Sequence, residues 1–237
     1  MGYLLSSAVR ARRRAPTTTS SREAIIASRD DALAYIENYI PEDEPLLATR
    51  AQSQRSDTQP VSGATGAALR FLAAAIGART VVEIGTGCGN SGIWLLRGMM
   101  TDGVLTSVDI DHGHQQFARA AYRQAGFATH RSRLIQGRAL EVLPRLTDEA
   151  YDMVFADAAK REYPDYVTEA LRLLRPGGVL VFNHALTAHP YAEGPLSAPD
   201  ADTTALREVT QLVRDDERLL PLLLPIGDGL LAAIRQH

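Results

Sequence analysis

Glycines at 85, 87, 89 and 92 follow directly on the apolar run Val81 to Ile84, which carries a single acid, Glu83. The pattern reads as a buried strand that breaks into a tight backbone loop and continues as a helix through Ile93, Leu95, Leu96 and Met99. Strand, glycine loop and helix N-terminus bring free backbone N–H groups and the positive end of a helix dipole to one polar ligand. A second acid, Asp109, closes the next apolar run, and a third, Asp157, closes the run that starts at Tyr151. The chemistry offered is recognition through backbone amides, with a carboxylate at the second strand's tip to accept from ligand hydroxyls.

Gly87, Gly89 and Gly92 satisfy GxGxxG, so a dinucleotide has to be weighed. The register opposes it. The strand ends at Ile84, which makes Gly85 the turning glycine, and the third glycine of the fingerprint then falls on Asn90. Glu83 followed by Gly85, Gly87 and Gly89, with Asp109 closing the next strand, suits a ligand carrying a ribose and an amino acid in place of a pyrophosphate. Adenosine joined to an amino acid is S-adenosylmethionine.

The blocks VVEIGTGCGNSGIWLL, SVDID, FADAAK, RPGGVLV and PIGDGLLAAI together resemble the class I methyltransferases. Within that class they are similar to the small-molecule O-methyltransferases related to catechol and caffeoyl-CoA O-methyltransferases, above all bacterial and actinobacterial members. The resemblance spans residues 22 to 237. It implies an α/β, doubly wound, Rossmann-like sheet of seven strands, parallel with a terminal antiparallel hairpin and with helices on both faces. By position, Glu83, Gly85, Thr86 and Ser91 match the residues that hold the methionine end, Gly87 shares their loop, and Val61 matches a residue that caps it. Asp109 matches the ribose ligand, Arg138 and Ala139 fall in the adenine-side loop, and Ala159 lies beside the methyl donor, next to Asp157.

The resemblance also implies a divalent metal, Mg²⁺ or Mn²⁺, held by an Asp ending the fourth strand and an Asp-Asn pair ending the fifth. Such an ion chelates two vicinal oxygens, acidifies the attacking hydroxyl and fixes it in line with the methyl. Asp157 matches the first ligand, and Lys160 matches a lysine that assists deprotonation. The pair departs from the pattern, because Asn183 and His184 stand there. Asp157 is then the one anionic ligand, an amide oxygen holds Mg²⁺ less firmly, and an imidazole favours softer ions. Three readings stay open: an altered metal site of Asp157, Asn183 and His184, a metal-free enzyme with Lys160 or His184 as base, and loss of the acceptor chemistry.

These residues need elements to position them. Ser20 and Glu23 form a capping box ahead of a helix that Pro41 stops, a second helix covers 42 to 54, and an Ala-rich third runs from Ala64 to Gly77. Strands are expected over 81 to 84, 104 to 109, 133 to 136, 151 to 157 and 179 to 182, with helices over 112 to 125, 139 to 146 and 163 to 174. Alternation of this kind gives a parallel, doubly wound sheet. Residues 184 to 202 form a long loop beside the site, a helix covers 203 to 216, and GlyAspGly at 227 to 229 joins two apolar runs as a hairpin.

A chain of 237 residues with 45% hydrophobic content suits one main α/β domain, 23 to 237. Residues 1 to 22 hold five arginines and no acid, and read as a disordered basic tail. The net charge of −3 recruits neither nucleic acid nor an anionic membrane, and no apolar run is long enough for a span. The one cysteine, Cys88, suits a reducing compartment such as the cytoplasm, and reads as a small filler. Trp94 reads as core, and His112, His114 and His189 as solvated or capping. The expected activity is O-methyl transfer to a small hydroxylated, aromatic or catechol-like acceptor by a homodimer. The alternatives are a fold that binds S-adenosylmethionine without catalysing and an NAD-dependent oxidoreductase.

Overall fold

A computed structural model of the chain describes residues 30–56, 58–187 and 200–237. The Ser20–Glu23 capping box, the basic tail with its limit at residue 22, His189 and most of the 184 to 202 loop lie outside them. Residues 30–37 are helical and end before Pro41. From Ile36 onward the chain forms one compact unit.

Its centre is a seven-stranded sheet of β1 (Thr80–Ile84), β2 (Val104–Asp109), β3 (Ser132–Gln136), β4 (Tyr151–Ala156), β5 (Leu174–Phe182), β6 (Leu219–Leu224) and β7 (Leu230–Arg235). The spatial order is β3-β2-β1-β4-β5-β7-β6. The first five strands pair in parallel, and β7 runs antiparallel to both β5 and β6. This is the doubly wound, seven-stranded sheet with a terminal hairpin that the sequence implies.

Successive strand side chains point to opposite faces, and because both faces are covered the central strands are apolar on both. Val82 and Ile84 of β1, Val154 of β4 and Phe182 of β5 turn to one side, where α6 (Tyr163–Leu173) and α7 (Ala201–Asp215) bury Tyr163, Tyr166 and Val209 against them. Val81, Phe155 and Val181 turn to the other, under α1 (Glu44–Arg55), α2 (Gly63–Ala75), α3 (Asn90–Gly98) and α4 (His112–Gln124). There Leu46, Leu69, Ile93 and Trp94 complete the layer, so Trp94 is core as expected. A Cβ at Gly66 would strike the Trp94 ring, which is how α2 comes so close to α3.

Helix starts follow from their caps: Ser62 accepts from Thr65 N at 3.1 Å, Asp111 from His114 N at 3.0 Å and Asp200 from Thr203 N at 2.7 Å. Two elements differ from expectation. Arg175 to Gly178 bulge within β5 instead of preceding it, since Leu174 pairs with Tyr151 and Val179 with Met153. Asp152 explains the bulge, taking Arg175 Nε at 2.6 Å while it also accepts the backbone N–H groups of Arg79 and Thr80. The expected helix over 139 to 146 is a single α-turn, α5 (Ala139–Val142), that tightens to a 3-10 turn at Leu143–Arg145, where Pro144 has no N–H to continue it.

Candidate active site

The chain leaves β1 toward β2 on one side and later enters β4 on the other, so a crevice opens beyond the carboxyl ends of these strands. Glu83, Asp109 and Asp157 lie at or near this edge. Backbone pairing continues past the strands, Gly85 N to Val108 O at 2.9 Å and Asp157 N to Ile84 O at 2.8 Å, and fixes the loops relative to each other.

Gly85, Gly87 and Gly89 have φ of 97°, 49° and 93°, the left-handed region in which a Cβ is penalised. Gly92 lies inside α3 and is needed for a different reason, since a Cβ there would meet the Tyr122 hydroxyl. The GxGxG register is thus the conformational one, and the GxGxxG match mixes loop glycines with a packing glycine. Gly87 N donates to Asp109 Oδ2 at 2.8 Å, while a Cβ on Gly87 would meet no protein atom within 4 Å. Gly89 caps α3 without a side-chain bond, so the first turn of the helix presents its N–H groups to the crevice side of the loop.

Glu83 is fully buried beneath this loop. Its Oε1 accepts from Ser91 Oγ at 2.6 Å and its Oε2 from Ser107 Oγ at 2.5 Å, and Ser107 in turn meets Thr86 Oγ1 at 2.7 Å. Burial raises its pKa to about 7 against the lowering effect of the two serine hydroxyls, with the nearby Asp157 and Asp109 charges adding to the rise. The carboxyl does not line the crevice. It acts on the loop through its bonds to Ser91 and Ser107.

The crevice holds a cavity of about 540 Å³. Gly85, Thr86, Gly87 and Ser91 form one wall, Asp109 the end beyond β2, and Val61 a cover from the segment before α2. Arg138 and Ala139 border it beyond β3, and Asp157 and Ala159 beyond β4. Asp109 is already committed on both oxygens, to Gly87 N and to Asp111 N at 2.9 Å, so it shapes the loop while keeping lone pairs for a ligand. Cys88, buried, lies on this wall too, 3.9 Å from Thr58 Oγ1.

Three residues were missed in the sequence. His114, expected as solvated or capping, sits in the first turn of α4 and lines the cavity with Nδ1 3.8 Å from Asp109 Oδ1. Tyr166 lines the cavity and donates to Glu162 at 2.7 Å, and Glu162 also takes Arg138 at 3.2 Å. Asp228 was read as hairpin only. Antiparallel pairing sets the start of β7 beside the end of β5, with Ala185 N to Gly229 O and Leu186 N to Asp228 O both at 3.0 Å, and so carries Asp228 to the site.

A second cavity of about 330 Å³ adjoins the first and shares Gln59, Pro60, Val61 and His184 with it. Asn183, Arg50 and Asp228 also line it. Asn183 Nδ2 donates to Asp157 Oδ2 at 3.1 Å, leaving Asn183 Oδ1 buried without a partner. His184 Nε2 lies 3.2 Å from Asp157 Oδ1, and Nδ1 lies 3.0 Å from Asp228 Oδ2, an approach off the hydrogen-bond direction. His184 has φ of 63°, a strained value for a non-glycine, held by Asn183 N bonding to Ala156 O before it and Ala185 N to Gly229 O after it. Lys160 is on neither wall. It occupies the 3-10 turn Lys160–Glu162, half-buried.

Residues 40–236 match the family described as O-methyltransferase. A relative from Mycolicibacterium vanbaalenii, named provisionally as an O-methyltransferase, is 49% identical over 201 residues, which cover 85% of this chain and 88% of its own. The crystal structure of the O-methyltransferase TomG from Streptomyces achromogenes, involved in tomaymycin synthesis and in complex with SAM, superposes with a TM-score of 0.78 at 29% identity, over 87% of this chain and 96% of that one. That of an O-methyltransferase from Bacillus cereus in complex with SAH gives 0.76 at 26%, over 86% and 96%.

The buried Glu83 carboxyl makes stability depend on pH. With a folded value near 7 and an ordinary value of 4.5, the folded chain keeps a proton that the unfolded chain has released in between. Its contribution is therefore full below 4.5 and is lost as pH rises through about 7. Glu83→Gln, which cannot ionise, is expected to gain on the order of 3 kcal/mol relative to the unaltered chain between pH 4.5 and about 8 in urea unfolding. A difference that stays level across that range would show the carboxyl ionising at its ordinary pH.

Proposed function

The chain belongs to the O-methyltransferase family, and from that premise we propose that it transfers the methyl group of S-adenosylmethionine to a hydroxyl of a small aromatic acceptor. One observation carries the reading: two cavities meet at His184 and Val61, one bounded by the glycine loop and Asp109, the other by Asn183, His184 and Asp228. The residues present suit the donor. Gly87 leaves open the volume that any other side chain would occupy, and its neighbours contribute backbone N–H groups and the Ser91 and Asp109 oxygens. SAM- and SAH-bound TomG and Bacillus cereus enzyme structures support the same choice.

The sulfonium supplies an electrophilic carbon: the acceptor oxygen forms the new C–O bond as the C–S bond breaks with its electron pair passing to sulfur. This chain's residues do the rest. The loop and Val61 hold the donor from two sides and the shared wall at His184 brings the acceptor oxygen next to it, which is catalysis by approximation. The hydroxyl proton passes to the Asp157–His184 pair, which stands at the second cavity. His184 takes the role of base ahead of Lys160 because it lines both cavities and Lys160 lines neither.

A homodimer is part of the proposal, supported by Leu220, Leu222 and Leu223 standing exposed on the edge strand β6. A one-chain mass in light scattering would remove it. A cytoplasmic setting is proposed from the lone, buried Cys88; no described helix is long and apolar enough to cross a membrane.

Calorimetric titration is expected to show saturable binding of S-adenosylmethionine and S-adenosylhomocysteine, and none of NAD(H). Binding of NAD(H) alone would replace this reading with an oxidoreductase. In turnover of phenolic acceptors, His184→Ala is expected to lower kcat by about a hundredfold, and Lys160→Ala to leave it nearly unchanged. The reverse order would return the base to Lys160.

A further inference from the structure

The resemblance implies a divalent ion between the ends of β4 and β5, and the residues at that place do not suit one. Both oxygens of Asp157 face nitrogen, Oδ2 receiving Asn183 Nδ2 at 3.1 Å and Oδ1 facing His184 Nε2 at 3.2 Å. Asn183 turns its NH₂ arm toward the carboxylate, so its oxygen points away from any ion that Asp157 could hold. Mg²⁺ asks for a near-octahedral set of oxygens at about 2.0–2.1 Å. Among the described residues no group of three or more His, Cys, Asp or Glu is arranged to hold a metal.

What fills the space is the imidazole itself. The remaining nearby acid, Asp228, stands on the far side of the ring, 3.0 Å from Nδ1. Each ring nitrogen faces a carboxylate oxygen, the side chain is buried, and the left-handed backbone at His184 holds the ring there. Pulling Asp157 and Asp228 onto a common ion would require the ring to leave a site that the Ala185 to Gly229 and Leu186 to Asp228 backbone bonds lock in place.

We infer that the acceptor end of this site works without a divalent ion, the His184 ring wedged between Asp157 and Asp228 standing where the resembling enzymes hold their metal. The consequence is for substrate class. An ion selects acceptors with two vicinal oxygens because it chelates both. A ring that meets one hydroxyl imposes no such demand, so this chain accepts aromatic rings with a single hydroxyl.

The inference deepens the O-methyl transfer reading and rests on it for the acceptor, whereas the ion is read separately. Titration of the full chain with Mn²⁺, following the paramagnetic resonance signal of the free ion, is expected to show no saturable site with or without S-adenosylmethionine. The double variant Asn183→Asp with His184→Asn, checked for folding by circular dichroism, is expected to create one at least about tenfold tighter than any residual binding. Saturable Mn²⁺ binding by the unaltered chain that Asp157→Asn abolishes overturns the inference, whether or not the double variant folds. A folded double variant that binds no better also overturns it. For the acceptor, methyl transfer to a phenol lacking an ortho hydroxyl, at a rate insensitive to EDTA, is the supporting result, and transfer to catechols alone is the opposing one. Absence of all transfer with the Mn²⁺ result intact would count against the activity and leave the ion's exclusion standing.

Discussion

A carboxyl buried without a counter-ion at the end of a central strand is the constraint on which this site hangs. Glu83 lies under the glycine loop with a serine hydroxyl on each oxygen, one from α3 and one from β2. Desolvating a carboxyl is costly, and the two bonds offset it only if Ser91 and Ser107 are held close. The same bonds therefore pin the helix and the neighbouring strand to β1. Through Ser107 the grip extends to Thr86, and through Gly87 N to Asp109, so loop, helix start and second strand form one connected polar layer. The cavity is the space this layer leaves open, where Gly87 carries no side chain.

The other end of the site is built differently. Asp157, Asn183 and Asp228 come from three separate turns, and what gathers them is sheet order, with β4 beside β5 and β5 beside the start of β7. Here polar groups are not shared out evenly. Asp157 has two nitrogen partners, while Asn183 Oδ1 has none among the described residues and His184 Nδ1 only the off-line approach to Asp228. The bonded layer from Glu83 to Asp109 suits a loop that must stay rigid, while Asn90 Oδ1 on the donor wall and Asn183 Oδ1 at the acceptor end are left to gain a partner from a ligand. The left-handed conformation of His184 belongs to the acceptor end, a strain of about 1–3 kcal/mol kept where the ring has to stand.

The elements were legible because each carries a local signal. Short continuous apolar runs, β-branched residues and end acids marked the strands within a residue or two, except at β5, where ArgProGlyGly reads as a turn and is in fact a bulge tied down by Asp152 from the neighbouring strand. The loop residues were legible for the same reason: positive φ is a demand on residue type, and glycine answers it visibly. An acid at a strand end looks the same whether it faces a ligand or lies under a loop, and at Glu83 the burial and the two serines opposite set it under the loop. His114 and Asp228 carried no local mark at all.

By itself, then, the sequence determined the parallel order of the elements, the terminal hairpin and the donor loop, all of which follow from periodicity, turn chemistry and residue-type restrictions acting over a few neighbours. Tertiary structure alone decided which side chains share the acceptor end. Asp157, His184 and Asp228 lie far apart along the chain, and their distances are set by strand registers and an antiparallel pairing that no short stretch encodes.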